Sequence, residues 1–291
     1  MRYEGPIYRP PSEAGSLLIQ ATVGCPHNRC TFCMVYKNGP RFSIRPVEEI
    51  VTDLYTAAGI GGERVRTLFL PAGNTIAMPT EQLAFVCEKA REIFPELERI
   101  TVYGSSQYIC RKGPERLRRL ADAGLNRIHV GLESGDDRIL KNICKGTDSR
   151  EQIRAGQMVT AAGIELSLYV ILGIGGREYS RSHAIETARA VNAVDPHFIR
   201  LRTFVPKINT PLLADVSRGR FKVLGPHEVL LEARWLLERL RVTSQLASDH
   251  YTNYINLEGR LPGAAPRLLE RIDSALGRPE SDFRAFFIGN Q

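Results

Sequence analysis

The sequence lacks the long apolar runs that mark membrane proteins. Its most apolar stretches, such as residues 168–174, fall far short of the roughly 20 residues that a bilayer-spanning helix needs. The amino-terminal residues, MRYEGPIYRPPSEAG, contain no apolar segment of the kind found in secretory signal peptides. We therefore expect a cytoplasmic protein.

Lysine is also scarce, and the excess of positive charge is mild. Only seven of the 39 basic residues are lysines, and 32 acidic residues leave a formal net charge of +7. The densest basic run contains Arg111, Lys112, Arg116, Arg118 and Arg119. Such a run is typical of a solvated helix face. The charge pattern makes nucleic acid a less favoured partner than a small molecule.

Short apolar, β-branched runs alternate with longer segments of helical period. The predicted strands are residues 17–23, 65–70, 99–103, 127–132, 165–172 and 198–204. The predicted helices between them are residues 47–58, 80–94, 114–123, 150–162 and 180–193. This alternation predicts an α/β fold with a parallel sheet, for which a doubly wound sheet and a barrel both fit. Beyond residue 224 the alternation stops, and helices are predicted at residues 226–240 and 266–276.

Six cysteines in a long chain of this kind are expected to be reduced thiols rather than disulfides. Three of them, Cys25, Cys30 and Cys33, lie in one loop directly after the first predicted strand. Three soft thiolates in so short a loop can converge on one metal centre. The others are scattered singly: Cys87, Cys110 and Cys144.

Three metal centres are compatible with this loop. Zinc would need a fourth ligand, for which His27 is the nearest candidate. A plant-type [2Fe–2S] cluster has the same C-x4-C-x2-C spacing and needs a distant fourth cysteine. A [4Fe–4S] cluster held by three cysteines leaves one iron open, and an open metal position is a site for a substrate or cofactor.

The loop and the strand–helix alternation resemble the radical S-adenosylmethionine (SAM) superfamily. The likeness is closest to its Elongator, methylthiotransferase and nitrogenase-cofactor group, with a coproporphyrinogen-oxidase-like core. Phe32, just before the last cysteine of the loop, also matches, whereas four residues separate Cys25 from Cys30 where the family usually has three. The resemblance implies a partial (β/α)6 TIM-like barrel over residues 1–215. The tail that follows the last strand–helix unit, residues 216–291, is predicted from its position to form a mainly helical C-terminal extension or lid packed on the barrel.

The resemblance also implies SAM contacts after successive strands. Gly73 and Asn74 lie where the family has a Gly-rich segment that holds the SAM ammonium. Glu133 and Ser134 occupy a segment whose polar side chains touch the SAM ribose or amino acid, and Lys145 lies where the family places a cation for the SAM carboxylate. The remaining candidate cofactor-binding residues are Phe32, Ser105, Tyr169 and Arg202.

Two arginines of the sixth predicted strand, Arg200 and Arg202, share one face because side chains alternate along a strand. Two cations on one face of an otherwise apolar strand need an anionic partner. That partner is either a carboxylate of the protein or an anionic ligand.

The resemblance implies two cofactors, a [4Fe–4S] cluster and SAM. Reductive cleavage of SAM then gives a 5′-deoxyadenosyl radical that abstracts hydrogen from the substrate. An external electron donor such as flavodoxin or ferredoxin is implied. The substrate is expected to be a small molecule or peptide, because tRNA-modifying relatives carry an added RNA-binding domain for which 291 residues leave little room. The alternatives are an iron–sulfur electron-transfer or redox-sensing protein with a fourth cysteine, a tRNA-modifying radical enzyme, and a zinc-stabilised RNA-binding protein.

Overall fold

The computed structural model describes residues 1–60 and 64–289; residues 61–63 and 290–291, which fall inside the two predicted domains, lie outside the described residues. The helices are α1 (Val47–Gly59), α2 (Thr80–Ile93), α3 (Ser106–Asp122), α4 (Asp137–Asn142), α5 (Ser149–Ala161), α6 (Gly176–Val194), α7 (Pro211–Ser217), α8 (Pro226–Leu237) and α9 (Ala265–Leu276). The strands are β1 (Leu17–Leu18), β2 (Thr22–Val23), β3 (Ser43–Ile44), β4 (Thr67–Leu70), β5 (Arg99–Gly104), β6 (Leu125–Glu133), β7 (Glu165–Leu172), β8 (Phe198–Thr203), β9 (Gln245–Ala247) and β10 (Glu258–Arg260).

The main sheet follows the order β1-β4-β5-β6-β7-β8-β9-β10. The pairs β1–β4, β4–β5, β5–β6, β7–β8 and β8–β9 are parallel, whereas β10 runs antiparallel to β9. Helices separate the parallel strands in the chain, as right-handed crossover connections require. The predicted α/β fold with a mostly parallel sheet is therefore confirmed.

The first predicted strand, residues 17–23, is interrupted. Only its ends are strands: β1 pairs with β4, and β2 pairs with β3 in a separate two-stranded sheet. Between them, the Gln20 side chain bonds both to the backbone oxygen of Glu4, at 2.8 Å, and to its N–H, at 2.7 Å. The Gln20 backbone carbonyl oxygen accepts from Arg45 Nη1 at 2.7 Å, so a side chain, and not a neighbouring strand, binds this backbone group where the pairing breaks.

The third predicted helix begins earlier than the sequence pattern indicates. It starts at Ser106 and continues through a kink at Gly113, whose φ of +76° is non-helical, before Pro114 restarts it. A Gly-Pro pair is normally read as a boundary between elements. The two short strands β9 and β10 were also not predicted, since each has only three residues.

The chain forms two compact units. The first contains Met1–Asn28, Val35–Val130 and Ala155–Leu166, and the second contains Arg29–Met34, Gly131–Arg154 and Ser167–Gln291. The predicted boundary near residue 215 stays a prediction. In the described part of the chain, no helix has the length and apolar composition needed to cross a bilayer.

The two faces of β8, in the second unit, differ in character. Leu201 and Thr203 line a small apolar space together with Val229 and Ala233 of α8. Arg200 and Arg202 belong to the opposite face, because adjacent side chains of a strand point to opposite sides. The helix-covered face is therefore apolar, and the other face carries two positive charges.

Candidate functional site

In the first unit, the cysteine loop leaves β2 through a tight turn. Gly24 has φ +67°, and a Cβ there would lie 2.8 Å from the Pro40 carbonyl oxygen. Gly73, after β4, donates its N–H to the Gly24 carbonyl oxygen at 3.0 Å. A Cβ on Gly73 would lie only 2.6 Å from the Cβ of Cys25. Glycine at position 73 therefore lets the backbone after β4 approach Cys25 closely.

Asn74 and Ser105 meet beside this turn. Asn74 is 1% exposed, and its side-chain N–H donates to the Ser105 hydroxyl at 3.0 Å. Its amide oxygen is buried without a hydrogen-bond partner among the described residues. A buried amide oxygen in this state is suited to accept a hydrogen bond from a ligand, such as an ammonium group. The fold thus brings together three predicted residues, Gly73, Asn74 and Ser105.

In the second unit, the segment Arg29–Met34 is held between two helices. Thr31 donates its N–H to the Ile143 carbonyl oxygen after α4, at 2.9 Å, and its carbonyl oxygen accepts from Leu212 N–H of α7, at 3.0 Å. Phe32 packs against the apolar cluster that contains Ile139, Ile143 and Leu212. These contacts fix the backbone that carries Cys30 and Cys33.

All six cysteines lie in the described part of the chain, and none forms a disulfide. Cys25, Cys30 and Cys33 are partly exposed, whereas Cys87 is buried and its burial raises the pKa of the thiol to about 12. In residues 1–60 and 64–289, no three His, Cys, Asp or Glu side chains lie close enough together to hold a metal ion. The donor chemistry of three accessible thiols in one loop fits an iron–sulfur cluster, and Cys87 is poorly suited to be a fourth ligand.

Glu133 and Lys145 form an ion pair in the second unit. Lys145 Nζ lies 2.8 Å from Glu133 Oε1, and the two side chains are 13% and 11% exposed. Glu133 ends β6 with φ +61°, a conformation that is uncommon for a non-glycine residue and often found at functional sites. A Cβ on Gly131 would lie 2.0 Å from Glu133 Oε1 and 2.9 Å from Lys145 Nζ. The fold thus places opposite charges side by side, as a ligand with both ammonium and carboxylate groups requires.

Ser134 is fully buried, and its hydroxyl forms hydrogen bonds within the protein. It lies 2.9 Å from His183 Nδ1 of α6 and accepts the Asp136 N–H at 3.0 Å. Gly135 donates its N–H to the Thr187 hydroxyl, also on α6, at 2.9 Å. These bonds fix the backbone immediately after Glu133.

The turn after β7 is held by the C-terminal part of the chain. Gly173, with φ +81°, donates its N–H to Glu232 Oε1 of α8 at 2.6 Å. Burial raises the pKa of Glu232 to about 8, against the lowering effect of the hydrogen bond from the Gly173 N–H. Burial lowers the pKa of His183 to about 4. His183 Nε2 lies 3.6 Å from Glu232 Oε1. Both side chains are therefore neutral near pH 7.

Beside the same turn is a cavity of about 670 Å³. Its apolar lining includes Ile139, Ile143, Ile174, Leu212 and Phe221, and its rim carries Arg177, Glu178, Asp215, Arg220 and Lys222.

Two further predicted residues belong to β7 and β8. Tyr169 stands opposite Arg200 in the strand register, and Arg202 Nη2 lies 2.8 Å from His250 Nε2. The contacts that His250, Glu232 and His183 make could not be predicted from the sequence. Their partners are 48 to 59 residues away in the chain, and no local pattern indicates such contacts.

The profile of the Radical SAM superfamily matches residues 19–191. Biotin synthase of Anaeromyxobacter sp. (strain Fw109-5) is 26% identical over 286 residues, covering 91% of this chain and 74% of the relative. The crystal structure of methylornithine synthase (PylB) superposes with a TM-score of 0.55 at 15% identity, covering 92% of this chain and 84% of that one. The archaeal Methanocaldococcus infernus Elp3 superposes with a TM-score of 0.54 at 14% identity, covering 91% of this chain and 64% of that one.

The chain belongs to the radical SAM superfamily. The α/β fold matches the partial TIM barrel of that superfamily, so the predicted fold class is confirmed. The protein is a radical SAM enzyme whose cofactors are a [4Fe–4S] cluster and SAM, as the sequence predicted. Its substrate is not specified by these relatives.

Proposed function

We propose that Cys25, Cys30 and Cys33 ligate three irons of the [4Fe–4S] cluster and leave the fourth iron for SAM. The donor chemistry of the loop supports this proposal, since these three thiols are accessible and lie in one segment after the first strands. When bound, the reduced cluster and SAM supply a 5′-deoxyadenosyl radical that removes hydrogen from the substrate. The chain itself binds, orients and shields these groups.

The Glu133–Lys145 pair is the observation that carries the cofactor assignment. The carboxylate of Glu133 is positioned to accept from the SAM ammonium, and the ammonium of Lys145 is positioned to bind the SAM carboxylate. The buried, unpartnered amide oxygen of Asn74 supports a second contact to a donor. Phe32 supports the site by packing against the apolar cluster described above, and Ser105 supports it by accepting a hydrogen bond from Asn74. Ser134 and Tyr169 are assigned to the surroundings of the site.

The substrate is a small molecule or peptide, and the enzyme works in the cytoplasm with an external reductant such as flavodoxin or ferredoxin. The densest basic run supports this choice over a nucleic acid. Arg119 is bonded to Glu81 and Glu88, and Lys112 donates to the Met78 carbonyl oxygen and the Thr80 hydroxyl. These contacts hold two of the five basic side chains within the protein, so those two are less available to phosphates.

The cluster assignment is tested by anaerobic reconstitution of wild type and Cys30→Ala. Wild type is expected to bind the cluster, to change its electron paramagnetic resonance signal when SAM is added to the reduced protein, and to release 5′-deoxyadenosine. Cys30→Ala is expected to lose most of its cluster iron and all SAM cleavage, because a three-cysteine site has no spare ligand.

Cys110→Ala is the matched control, since Cys110 is also partly exposed but lies outside the loop. It is expected to keep the full cluster. Loss of the cluster in Cys110→Ala or Cys144→Ala, with retention in Cys30→Ala, would instead favour an electron-transfer protein with a different ligand set.

A further inference from the structure

Buried arginines in this chain are normally paired with carboxylates. Three arginines of the described residues are less than 9% exposed: Arg45, Arg127 and Arg200. Arg45 bonds to Asp53 at 2.8 Å, and Arg127 bonds to Glu165 at 2.7 Å. Within residues 1–60 and 64–289, Arg200 has no ion pair: its Nε donates to the Ser167 hydroxyl at 3.1 Å, and its guanidinium lies 5.5 Å from the Phe198 ring centroid. A buried guanidinium without an anion is costly, which indicates a missing anionic partner.

Arg202, on the same face of β8, also lacks an ion pair among the described residues. It forms no ion pair with any described carboxylate, and its hydrogen-bond partner is His250 Nε2 at 2.8 Å. A guanidinium only donates, so His250 accepts at Nε2, while its Nδ1 lies 2.8 Å from the Thr252 hydroxyl and 3.3 Å from the Thr252 backbone nitrogen. Burial, followed by the charges of Arg202 and Lys207, lowers the pKa of His250 to about 4. His250 is therefore neutral near pH 7 and orients Arg202 without neutralising it.

The turn that carries His250 is fixed to the end of β8. Asn253 donates to the Leu201 carbonyl oxygen at 2.9 Å and accepts from the Thr203 hydroxyl at 3.0 Å. β9 pairs in parallel with β8, so this turn follows the carboxyl ends of two adjacent parallel strands. In parallel α/β folds, ligands bind at that end of the strands.

We propose that the face of β8 formed by Arg200 and Arg202, together with the His250 turn, binds an anionic group of the substrate, a carboxylate or a phosphate. Resting on the proposed function, this inference assigns the substrate to the class of anionic small molecules or peptides. It also assigns Arg202, predicted above as a SAM contact, to the substrate. Arg202 binds the anion through its remaining N–H groups, and Arg200 supplies the second positive charge. Lys207, whose charge also acts on His250, adds to the positive potential.

The first test measures anion binding without any need for SAM cleavage. Thermal unfolding of the anaerobic holoenzyme is followed in chloride buffer at constant ionic strength, with sodium succinate or sodium phosphate as the probe. A ligand that binds the folded state raises the midpoint in a saturable manner. Arg202→Gln is expected to need at least about tenfold more probe for the same shift, because a hydrogen bond to a charged group is worth about 1.5–3 kcal/mol.

Arg218→Gln is the matched control, because it removes the same charge from an exposed position at the end of α7. It is expected to respond to both probes as wild type does, so it also measures general salt effects. The probe with the larger specific shift distinguishes a carboxylate from a phosphate. Equal responses of Arg202→Gln and wild type to both probes would overturn the proposal.

A second variant separates a ligand site from a structural role. Arg200→Met is expected to raise the unfolding midpoint of the anion-free protein by a few degrees, because it removes an uncompensated buried charge, while the probe response is lost. A lowered midpoint with an unchanged probe response would overturn the proposal.

Cofactor binding supplies the last readout. Arg218→Gln is expected to release 5′-deoxyadenosine from SAM in the absence of substrate at the wild-type rate, and the SAM affinity of Arg202→Gln is measured beside it. If Arg202→Gln loses SAM binding and keeps the probe response, Arg202 is a cofactor contact and the proposal fails. If wild type itself forms no 5′-deoxyadenosine, the proposed function fails, while the anion measurements still decide this inference.

Discussion

Gly131 is a residue at which the candidate cofactor site is sensitive to a single methyl group. A Cβ there would meet the Glu133 carboxylate at 2.0 Å and the Lys145 ammonium at 2.9 Å. Both atoms are ends of flexible side chains, so the pair can move at little cost to the fold. Gly131→Ala is therefore expected to weaken SAM binding by roughly tenfold, the value of one charge-assisted hydrogen bond, while the unfolding midpoint changes little.

Equilibrium binding of SAM to the anaerobic holoenzyme measures this effect. Gly59→Ala is the control, because no atom lies within 4 Å of a Cβ placed at Gly59, near the end of α1. It is expected to bind SAM as wild type does. Unchanged SAM affinity in Gly131→Ala would show that the Glu133–Lys145 pair does not contact the cofactor.

The residues proposed for this site can be named from the sequence, but the contact between Glu133 and Lys145 cannot be predicted from it. Glu133 and Lys145 were assigned separately, because each matches a family segment. Their contact depends on the left-handed backbone of Glu133 and on the end of α4, where Cys144 also has a positive φ of 52°. A sequence pattern does not specify such dihedral angles for non-glycine residues.

At the scale of elements, the long periodic segments were predicted well and the short ones were not. β7 has the bounds predicted from its apolar run, and α2 ends one residue before the predicted end. β9 and β10 are held mainly by pairing with neighbouring strands, which a three-residue segment does not reveal. The contact of α8 with the Gly173 turn is likewise not revealed by a local sequence pattern, since Glu232 lies 59 residues from Gly173 in the chain.

Glu232 makes the contact of α8 with the Gly173 turn dependent on pH. Burial raises its pKa from 4.5 to about 8, so its stabilising contribution is complete below pH 4.5 and is lost as the pH rises through about 8. Gln imitates the protonated acid and keeps an acceptor for the Gly173 N–H. Glu232→Gln is therefore expected to be more stable than wild type at about pH 9, by on the order of a few kcal/mol, and to differ little at about pH 5.

Unfolding midpoints recorded across this pH range provide the measurement. Glu270→Gln, on the exposed side of α9, is the control and is expected to follow the wild-type curve at every pH. Parallel curves for Glu232→Gln and wild type would contradict a buried, protonated Glu232.

For the whole molecule, the acid limit of stability is expected to depend on a buried network in the first unit. Glu13 is fully buried and is contacted by His129 at 3.2 Å, Ser16 at 2.7 Å and Arg99 at 3.2 Å. Burial alone would raise the pKa of Glu13, but the hydrogen bonds from His129 and Ser16 and the charge of Arg99 lower it to about 2. The ionised form therefore stabilises the fold above pH 4.5, and this contribution is lost as the pH falls through about 2.

Glu13→Gln is expected to lower the free energy of unfolding at neutral pH by on the order of 3 kcal/mol, and the difference from wild type is expected to shrink as the pH approaches 2. Urea unfolding at a series of pH values measures this difference. Glu98→Gln, which breaks an exposed pair with Arg66, is the matched control and is expected to cost no more than about 1 kcal/mol. A pH-independent loss in Glu13→Gln would mean that packing, rather than the Glu13 charge, is responsible. Because the Glu13 contribution is complete only above about pH 4.5 and the Glu232 contribution begins to be lost above the same pH, the two buried glutamates together predict a maximum of stability near pH 4.5.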